Sequence, residues 1–407
     1  MKVYTNIQCC RLCKSDKLEN VYSLGEQTLT GVFPQSKKDT ISSGPVDLVK
    51  CQSCGLVQLK QTYNQDEMYG DNYGYRSGLN KSMIAHLREN VQMILDLNIL
   101  NDKDIIIDVG SNDGSTLKMF PDVYRAIGID PTAKKFSKYY SDNIKLVPDF
   151  FNSEIALKAT GGDKAKLITS FSMFYDLEDP LQFSKDVSSV LTSDGIWVME
   201  QSYLPSMIQT NSFDTICHEH LEYYCLTQIQ WIADNTDLEI IDVDFNDTNG
   251  GSFLVILAKG DVLLEPNKTK IQNILLDEKR YKSDSCVYQD FKEKISSEKD
   301  KFLVFLNNAK KENKLVVGLG ASTKGNVMLQ HYEIDSELIS YIGDVNPDKH
   351  GSFTPKSHIP IISEDEVIEM NPDYLVVIPW HFKKHFMSLD KFKDKRLVFP
   401  LPFFEIT

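Results

Sequence analysis

The segment "DIIIDVGSNDGSTLKMF", Asp104–Phe120, is the most informative part of the sequence. Its apolar run has the composition of a strand that is buried on both faces of a parallel sheet. A turn with Gly110 and Gly114 follows, and the residues after the turn are compatible with a helix. Strand, glycine turn and helix in this order predict an α/β domain that binds an anionic or nucleotide ligand at the turn.

The spacing of the glycines narrows the choice of ligand. The G-x-G-x-x-G fingerprint of dinucleotide binding is absent, because the turn has only two glycines. A D-x-G-x-x-x-G turn is instead typical of S-adenosylmethionine (SAM) sites. We therefore predict a class I SAM methyltransferase core with a Rossmann-like sheet, with cofactor contacts from Asp108, Gly110, Ser111, Asn112 and Gly114.

Three later segments extend the predicted cofactor site. "RAIGIDPT" ends a second strand at Asp130, whose carboxylate is placed to accept hydrogen bonds from ribose hydroxyls. "LVPDFFN" offers Asp149 and Phe150 to the adenine amine and ring face. "KLITSFSMFYDLEDP" predicts the fourth strand, with Ser172 at its tip, and "DGIWVMEQSY" predicts the fifth. The alternative is a Rossmann-like sheet with an accidental glycine turn, since a fold alone does not determine function.

The cysteines predict a metal site. "CRLC" and "CQSC" form two CxxC pairs, Cys10/Cys13 and Cys51/Cys54. Four thiolates at this spacing complete a tetrahedral zinc site, and such a closed site stabilises a fold and performs no chemistry. Free or redox-active thiols are the alternative, and Cys9 is expected to lie outside the site. We therefore predict an N-terminal zinc-binding lobe.

The segment "ICHEHLEYY", Ile216–Tyr224, follows the fifth strand, where an insertion can cover the ligand-binding edge of the sheet. It is not the HExxH motif of zinc proteases, because Glu222 stands in place of the second histidine. The sequence leaves a metal site with His218 and His220 as ligands as an alternative interpretation. A histidine beside a glutamate over a cofactor also suits proton transfer from a carbon acid, an alcohol or an amine, and the residues alone do not choose among these acceptors.

The last third of the chain repeats the pattern of strand, glycine turn and helix. "KLVVGLGASTKGNVML" places Lys324 where it can meet a phosphate, and close backbone approach is possible at Gly318, Gly320 and Gly325. "LISYIGDVNPDKHG" puts Asp344 at a strand end, and "DYLVVIPWHF" ends a strand near Trp380. This second βαβ fold either holds the nucleotide of a substrate or is a scaffold without a ligand. An NAD dehydrogenase is disfavoured, because no third glycine is in register.

Composition excludes several classes of protein. The 407 residues carry a net charge of −14, which disfavours nucleic-acid binding and with it a zinc-ribbon nucleic-acid methyltransferase. No apolar run reaches the roughly 18 residues of a membrane span, and the N-terminus lacks the pattern of a secretory signal. We expect a cytoplasmic protein without membrane or nucleic-acid partners.

The order of these features resembles the sugar C-methyltransferases that act on nucleotide-linked 4-keto-deoxy sugars, such as the tetronitrose C-3 methyltransferases. The resemblance spans nearly the whole chain and includes "GLGASTKGN", "GSFTPKSHIPI" and "PDYLVVIPW" near the C-terminus. It implies a zinc lobe at residues 1–75, a SAM domain at 76–262 and a Rossmann-like domain at 263–407 that binds a nucleotide-diphosphate sugar. A monomer or weak oligomer is expected.

The resemblance also implies roles for individual residues. His220 would remove the proton beside the ketone, with Glu219 as its partner, and Tyr75 would border the cofactor and the sugar. The methyl group would then be added to the carbon next to the ketone, C-3. The C-terminal domain would grip the nucleotide diphosphate through Gly320, Lys324, Gly325, Asp344, His358 and Trp380.

Two positions depart from the pattern of these enzymes. Cys217 stands where they have a tyrosine, and Asp176 stands where they have a histidine. Both positions lie near the expected sugar site. The resemblance therefore does not determine the sugar, its stereochemistry or the methylated atom. An O- or N-methyltransferase is the nearest alternative, and an NAD-linked sugar oxidoreductase is a more distant one.

Overall fold

The computed structural model describes residues 3–64, 68 and 76–407. The N-terminal strands are β1 Tyr4–Asn6, β2 Leu18–Thr28, β3 Ser43–Cys51, β4 Val57–Leu59 and β5 Gln61–Tyr63. The neighbours β2, β3 and β4 pair antiparallel, and β1 pairs with β5. They form a small lobe in which Cys10 and Cys13 precede β2, while Cys51 ends β3 and Cys54 lies in the turn between β3 and β4.

The strands of the middle of the chain are β6 Ile105–Val109, β7 Arg125–Ile129, β8 Ile144–Val147, β9 Ala165–Phe171, β10 Leu191–Ser202, β11 Glu222–Tyr223, β12 Glu239–Asn246 and β13 Ser252–Ala258. All except β11 form one sheet, in the order β12-β13-β10-β9-β6-β7-β8. The neighbours from β10 to β8 are parallel, whereas β13 is antiparallel to β10 and to β12. Every residue of β6 is buried, as its apolar sequence predicts.

The helices of this part are α1 Lys81–Asp96, α2 Ala133–Phe136, α3 Ser153–Thr160, α4 Pro180–Val190, α5 Leu204–Gln209, α6 Leu226–Asp234, α7 Lys268–Asp277, α8 Lys279–Ser283 and α9 Cys286–Lys311. Local sequence sets several of their ends. The Asn80 side chain accepts hydrogen bonds from the first turn of α1, and Asp179 caps α4 directly before Pro180. Helix α3 ends at Gly161, which has a φ of 79°.

The C-terminal strands are β14 Val316–Leu319, β15 Ile342–Asp344, β16 Ile361–Ser363, β17 Tyr374–Val377, β18 Leu397–Phe399 and β19 Glu405–Ile406. Their order is β16-β15-β14-β17-β18-β19, and all pairs are parallel except the last. The helices of this domain are α10 Thr323–His331, α11 Glu364–Glu369 and α12 Lys383–Ser388. The predicted fold class, an α/β chain with two Rossmann-like sheets behind an N-terminal lobe, is confirmed.

One hydrophobic core joins the three parts of the molecule. It contains Leu48 of the N-terminal lobe, Phe213 between α5 and β11, and Val317 of the C-terminal sheet. Strand β11 also pairs with β4, so the segment after the fifth strand of the methyltransferase sheet completes the sheet of the lobe. The predicted domain boundaries stay a prediction, and residues 69–75, next to the first of them, lie outside the described residues. Within the described ranges, no helix combines the length and apolar character that crossing a membrane requires.

Candidate active site and metal centre

A cleft of about 1280 Å³, including its open mouth, lies at the carboxyl ends of β6, β7, β9 and β10. This is the edge at which open α/β sheets bind their ligands. Seven of the predicted cofactor residues line the cleft: Asp108, Gly110, Ser111, Asn112, Asp130, Phe150 and Ser172. These residues come from four separate strands or strand ends, and the fold brings them together around one space large enough for a nucleotide-sized ligand.

Both glycines of the turn adopt a left-handed backbone conformation. Gly110 has a φ of 74°, and a Cβ there would lie 3.0 Å from the Met173 side chain, so the close approach requires glycine. Gly114 has a φ of 71° and packs against the Tyr140 ring, which a Cβ would approach to 3.1 Å. Gly114 shapes the turn and is not among the described residues that line the cleft.

The predicted acidic contacts differ in their surroundings. Asp130 Oδ2 accepts from the Asn112 amide at 2.8 Å, and Asp130 Oδ1 accepts from the amide and hydroxyl of Thr132 at 2.6 Å. Because a carboxylate has about four acceptor sites, about one remains for a ribose hydroxyl. Asp149 is exposed and accepts from the Phe150 amide, and it is not among the described cleft-lining residues. The Phe150 ring therefore has the better position for adenine.

The carboxyl group of Asp108 is expected to make cofactor binding sensitive to pH. Burial raises the pKa of its carboxyl to about 7, and the charge of Asp130 adds to the shift. SAM carries positive charge on its sulfur and its amino group, so it favours an ionised Asp108. We expect the SAM affinity measured by calorimetry to rise about tenfold from pH 6 to pH 8, and Asp108→Asn to remove this dependence. An affinity of the wild type that does not change over this range would contradict the assignment.

The HEH loop, residues 216–221, is held from two sides. The Leu221 amide donates to the Tyr175 carbonyl at 2.8 Å, next to the cleft. The Leu221 carbonyl accepts from the Leu59 amide of β4 at 2.8 Å. The loop is thus fixed between the SAM cleft and the N-terminal lobe.

The two histidines of the loop have different environments. His218 is completely buried, with Nε2 3.2 Å from the Gln27 carbonyl and its ring edge-on to Tyr63. His220 is half-buried, and its Nδ1 lies 2.8 Å from the Thr215 carbonyl. Since a carbonyl only accepts hydrogen bonds, Nδ1 carries the proton and Nε2 of neutral His220 has a free lone pair. His220 can therefore act as a base, whereas His218 is sealed in the core.

The charge state of His220 follows from its neighbours. Burial and the nearby Lys324 ammonium lower its pKa to about 4, so the imidazole is neutral at pH 7. The Tyr175 ring packs on the imidazole with 4.3 Å between centroids, and the next residue, Asp176, lines the SAM cleft. In the described part of the chain, no group of three metal-ligating side chains includes either histidine, so a metal site in the loop lacks support.

Glu219 lies beside a glycine of the N-terminal lobe. The Cys217 thiol donates a hydrogen bond to its carboxylate, and burial raises the pKa of Glu219. Its Oε2 atom is buried without a partner among the described residues. Its Oε1 atom would lie 3.0 Å from a Cβ on Gly31. Tyr75, the third predicted catalytic residue, lies outside the described residues.

Gly31→Ala tests whether the position of Glu219 matters. The added methyl group would sit 3.0 Å from Glu219 Oε1 and 3.8 Å from Thr323 Oγ1, so the carboxylate must move by a few tenths of an ångström. We expect kcat to fall about tenfold, which corresponds to about 1.4 kcal/mol, with the Kd for SAM unchanged. Gly260→Ala is the matched control, because a Cβ there meets no atom within 4 Å. Equal kcat values for the two variants would show that catalysis does not depend on the position of the Glu219 carboxylate.

Two of the predicted C-terminal residues contact the methyltransferase domain close to this loop. The Lys324 ammonium donates to the Asn249 carbonyl at 2.7 Å, and Trp380 Nε1 donates to Asp214 Oδ2 at 2.8 Å. Lys324 also acts electrostatically on Asp214 and on His220. The structure thus gathers residues of both Rossmann-like domains at the HEH loop.

The other predicted C-terminal residues shape their own domain. Gly320 and Gly325 allow close packing, since a Cβ would lie 2.8 Å from Pro379 and 2.1 Å from Ile378, respectively. Asp344 Oδ2 accepts from the Ala321 amide at 2.7 Å and so closes the second glycine turn. His358 is half-buried with a φ of 53°, and its amide donates to the Thr354 carbonyl at 3.0 Å.

Sequence reasoning missed several polar neighbours of these sites. Glu200 lines the SAM cleft, and its Oε1 atom lies 2.7 Å from Nε2 of His86. Its Oε2 atom accepts hydrogen bonds from the side-chain amides of Asn90 and Asn246. Asp214 and Asn249 were not singled out either. Glu200 lies near the carboxyl end of the predicted fifth strand, which is a recognisable signal, but the contacts of Asn249 depend on the docking of another domain.

The four predicted zinc ligands lie together. Their sulfur atoms are all within 4.8 Å of one another, with 3.6 Å between Cys10 and Cys54 and 3.5 Å between Cys13 and Cys51. A tetrahedron with zinc–sulfur bonds of about 2.3 Å has edges of about 3.8 Å. The two turns are alike, because the carbonyls of Cys10 and Cys51 each accept from the amide four residues later. The donor set fits zinc.

The SAM cleft behind a D-x-G-x-x-x-G turn and the Cys₄ cluster define a SAM-dependent methyltransferase with a structural zinc site. Family models match three successive segments: a zinc binding domain at residues 10–69, a methyltransferase domain at 79–243 and a C-methyltransferase C-terminal domain at 247–402. The protein is therefore a SAM-dependent C-methyltransferase that combines these three domains.

The chain is similar in sequence to a C-methyltransferase, and part of it is similar to solved methyltransferase structures. C-methyltransferase NovU of Streptomyces niveus is 26% identical over 400 residues, which cover 97% of this chain and 95% of NovU. A SAM-dependent methyltransferase of Anabaena variabilis has 16% identity and a TM-score of 0.34, covering 42% of this chain and 86% of its own. A SAM-dependent methyltransferase of Clostridium acetobutylicum has 13% identity and a TM-score of 0.33, covering 43% and 90%.

Proposed function

We propose that the enzyme methylates the carbon beside the ketone, C-3, of a nucleotide-linked 4-keto-deoxy sugar. The observation that carries the proposal is the setting of His220. Its Nδ1 lies 2.8 Å from the Thr215 carbonyl, the Tyr175 ring that packs on it precedes a residue of the SAM cleft, and Lys324 of the C-terminal domain acts on it electrostatically. A neutral base between a methyl donor site and a second nucleotide-type fold suits a substrate that is both a carbon acid and a nucleotide.

In the proposed reaction His220 Nε2 removes the proton from the carbon next to the ketone. The Thr215 carbonyl keeps its hydrogen bond from Nδ1 and so stabilises the imidazolium that forms. The electron pair of the broken carbon–hydrogen bond moves to the ketone oxygen and gives an enolate, whose carbon is then nucleophilic. SAM, when bound, supplies an electrophilic methyl group. The cleft residues Asp108, Asp130 and Phe150 would hold it.

The C-terminal domain is the proposed holder of the sugar nucleotide. The glycine turn between β14 and α10 allows close backbone approach, and Ser322 caps the helix that follows. Lys324 and Trp380 already bring this domain to the HEH loop. We propose that residues 1–75 form the zinc-binding domain, residues 76–262 the SAM domain and residues 263–407 the nucleotide-binding domain.

Mass spectrometry of reaction mixtures tests the substrate class. The protein is incubated with SAM and nucleotide-linked 4-keto-6-deoxy sugars that differ in base and sugar configuration, with the corresponding 4-hydroxy sugars as matched controls. We expect a methylated product from at least one keto sugar and from none of the hydroxy sugars. Methylation of the hydroxy sugars at an equal rate would contradict the need for a ketone.

A further inference from the structure

Lys324 is held between the two Rossmann-like domains. It is the second residue of α10, and its ammonium donates to the carbonyl of Asn249, which lies just before β13 of the methyltransferase sheet. The residue as a whole is half-buried. An ammonium has three donors, and the Asn249 carbonyl uses one of them. Two of the three donors of Lys324 therefore remain for a ligand.

The ionisable groups around Lys324 come from both Rossmann-like domains. Asp214, Cys217 and His220 all interact with the lysine electrostatically, as does His381 of the C-terminal domain. Asp214 is 2% exposed, and its Oδ1 atom has no hydrogen-bond partner in the described part of the chain. The carboxylate thus balances the lysine and leaves one of its own oxygens for a further donor.

A charged lysine side chain is energetically unfavourable at this buried position. Burial lowers its pKa, which means that the surroundings disfavour the charge. An apolar side chain of similar length would pack there without that cost. A cation kept beside a candidate base suits a reaction in which negative charge develops next to that base.

We propose that the Lys324 ammonium binds the ketone oxygen of the substrate and stabilises the enolate that forms when His220 removes the neighbouring proton. The inference rests on the proposed function. It assigns Lys324 to the ketone oxygen at the reacting centre and no longer to the diphosphate. No proton leaves the lysine: one of its N–H groups donates a hydrogen bond to the oxygen, whose charge changes from neutral to negative. Asp214 balances the lysine before the substrate binds.

Steady-state kinetics of Lys324→Met test this assignment. Removal of one preorganised donor at a developing oxyanion lowers kcat by about 10²–10³-fold, and we expect this loss with a less than about threefold change in the KM for the nucleotide sugar. Lys324→Arg keeps the charge and should recover part of the lost rate. Lys384→Met is the control, since its side chain is 96% exposed in the same domain. Calorimetric SAM affinity and the unfolding midpoint report whether each variant is folded.

The outcomes separate this proposal from the one on which it rests. A carbon-methylated product of the wild type with an unchanged kcat in Lys324→Met would overturn the role of the lysine alone. A large rise in KM with little loss of kcat would show that Lys324 binds the diphosphate of the substrate and does not stabilise the enolate. A wild-type product methylated on oxygen or nitrogen would overturn the enolate and, with it, both proposals.

Discussion

We expect His220→Ala to lose methyl transfer by about 10³-fold or more in kcat, with the Kd for SAM unchanged. His220 has the free Nε2 lone pair and partial exposure that a base requires, and its side chain is not among the described residues that line the SAM cleft. The rate of methyl transfer is followed by mass spectrometry, and SAM binding by calorimetry. Loss of both together would mean that the variant is misfolded or that the loop helps to hold SAM.

A second readout isolates the step assigned to His220. In deuterated water without SAM, the wild-type enzyme should exchange the hydrogen beside the ketone, and His220→Ala should not. His385→Ala is the matched control, because His385 is an exposed histidine of the C-terminal domain. Full turnover in His220→Ala would remove His220 from its role as the base.

Removal of zinc, by a chelator or by Cys51→Ser, should abolish methyl transfer and lower the unfolding midpoint by about 10 °C or more. The zinc site holds the turns next to β3 and β4, and β4 pairs with β11 directly after the HEH loop. Arg11, which lies between Cys10 and Cys13, donates to the Leu59 carbonyl and lies 3.7 Å from Glu222. Loss of the metal is therefore expected to loosen the support of the HEH loop.

The zinc experiment is read by metal content, thermal unfolding and activity on the same sample. Cys286→Ser is the control, since Cys286 is an exposed cysteine of α9. Zinc-free protein with the wild-type midpoint and kcat would show that the lobe folds without the metal and that the loop does not depend on it.

The sequence predicts best the features that local patterns determine. The buried strand before Gly110, the positive φ angles of both glycines in the turn and the clustering of four cysteines all follow from short motifs. Such motifs carry their own backbone requirement, so one segment is enough to recognise them.

The contacts between domains are less accessible from the sequence. That β11 joins the sheet of the zinc lobe, that Gly31 borders Glu219, and that Lys324 bonds Asn249 depend on packing between segments distant in the chain. The difference in burial between His218 and His220 also appears only in three dimensions, where one ring is buried in the core and the other is half-buried. Two histidines two residues apart give no such distinction in sequence.

The attachment of the transferred methyl group tests the central claim most directly. The enzyme is supplied with SAM labelled with ¹³C in its methyl group and with the keto sugar that it accepts, and the product is analysed by NMR. We predict that the labelled methyl carbon is bonded to the ring carbon beside the ketone. A labelled methyl group on a sugar oxygen or nitrogen would contradict the enolate mechanism and the role of His220 in it.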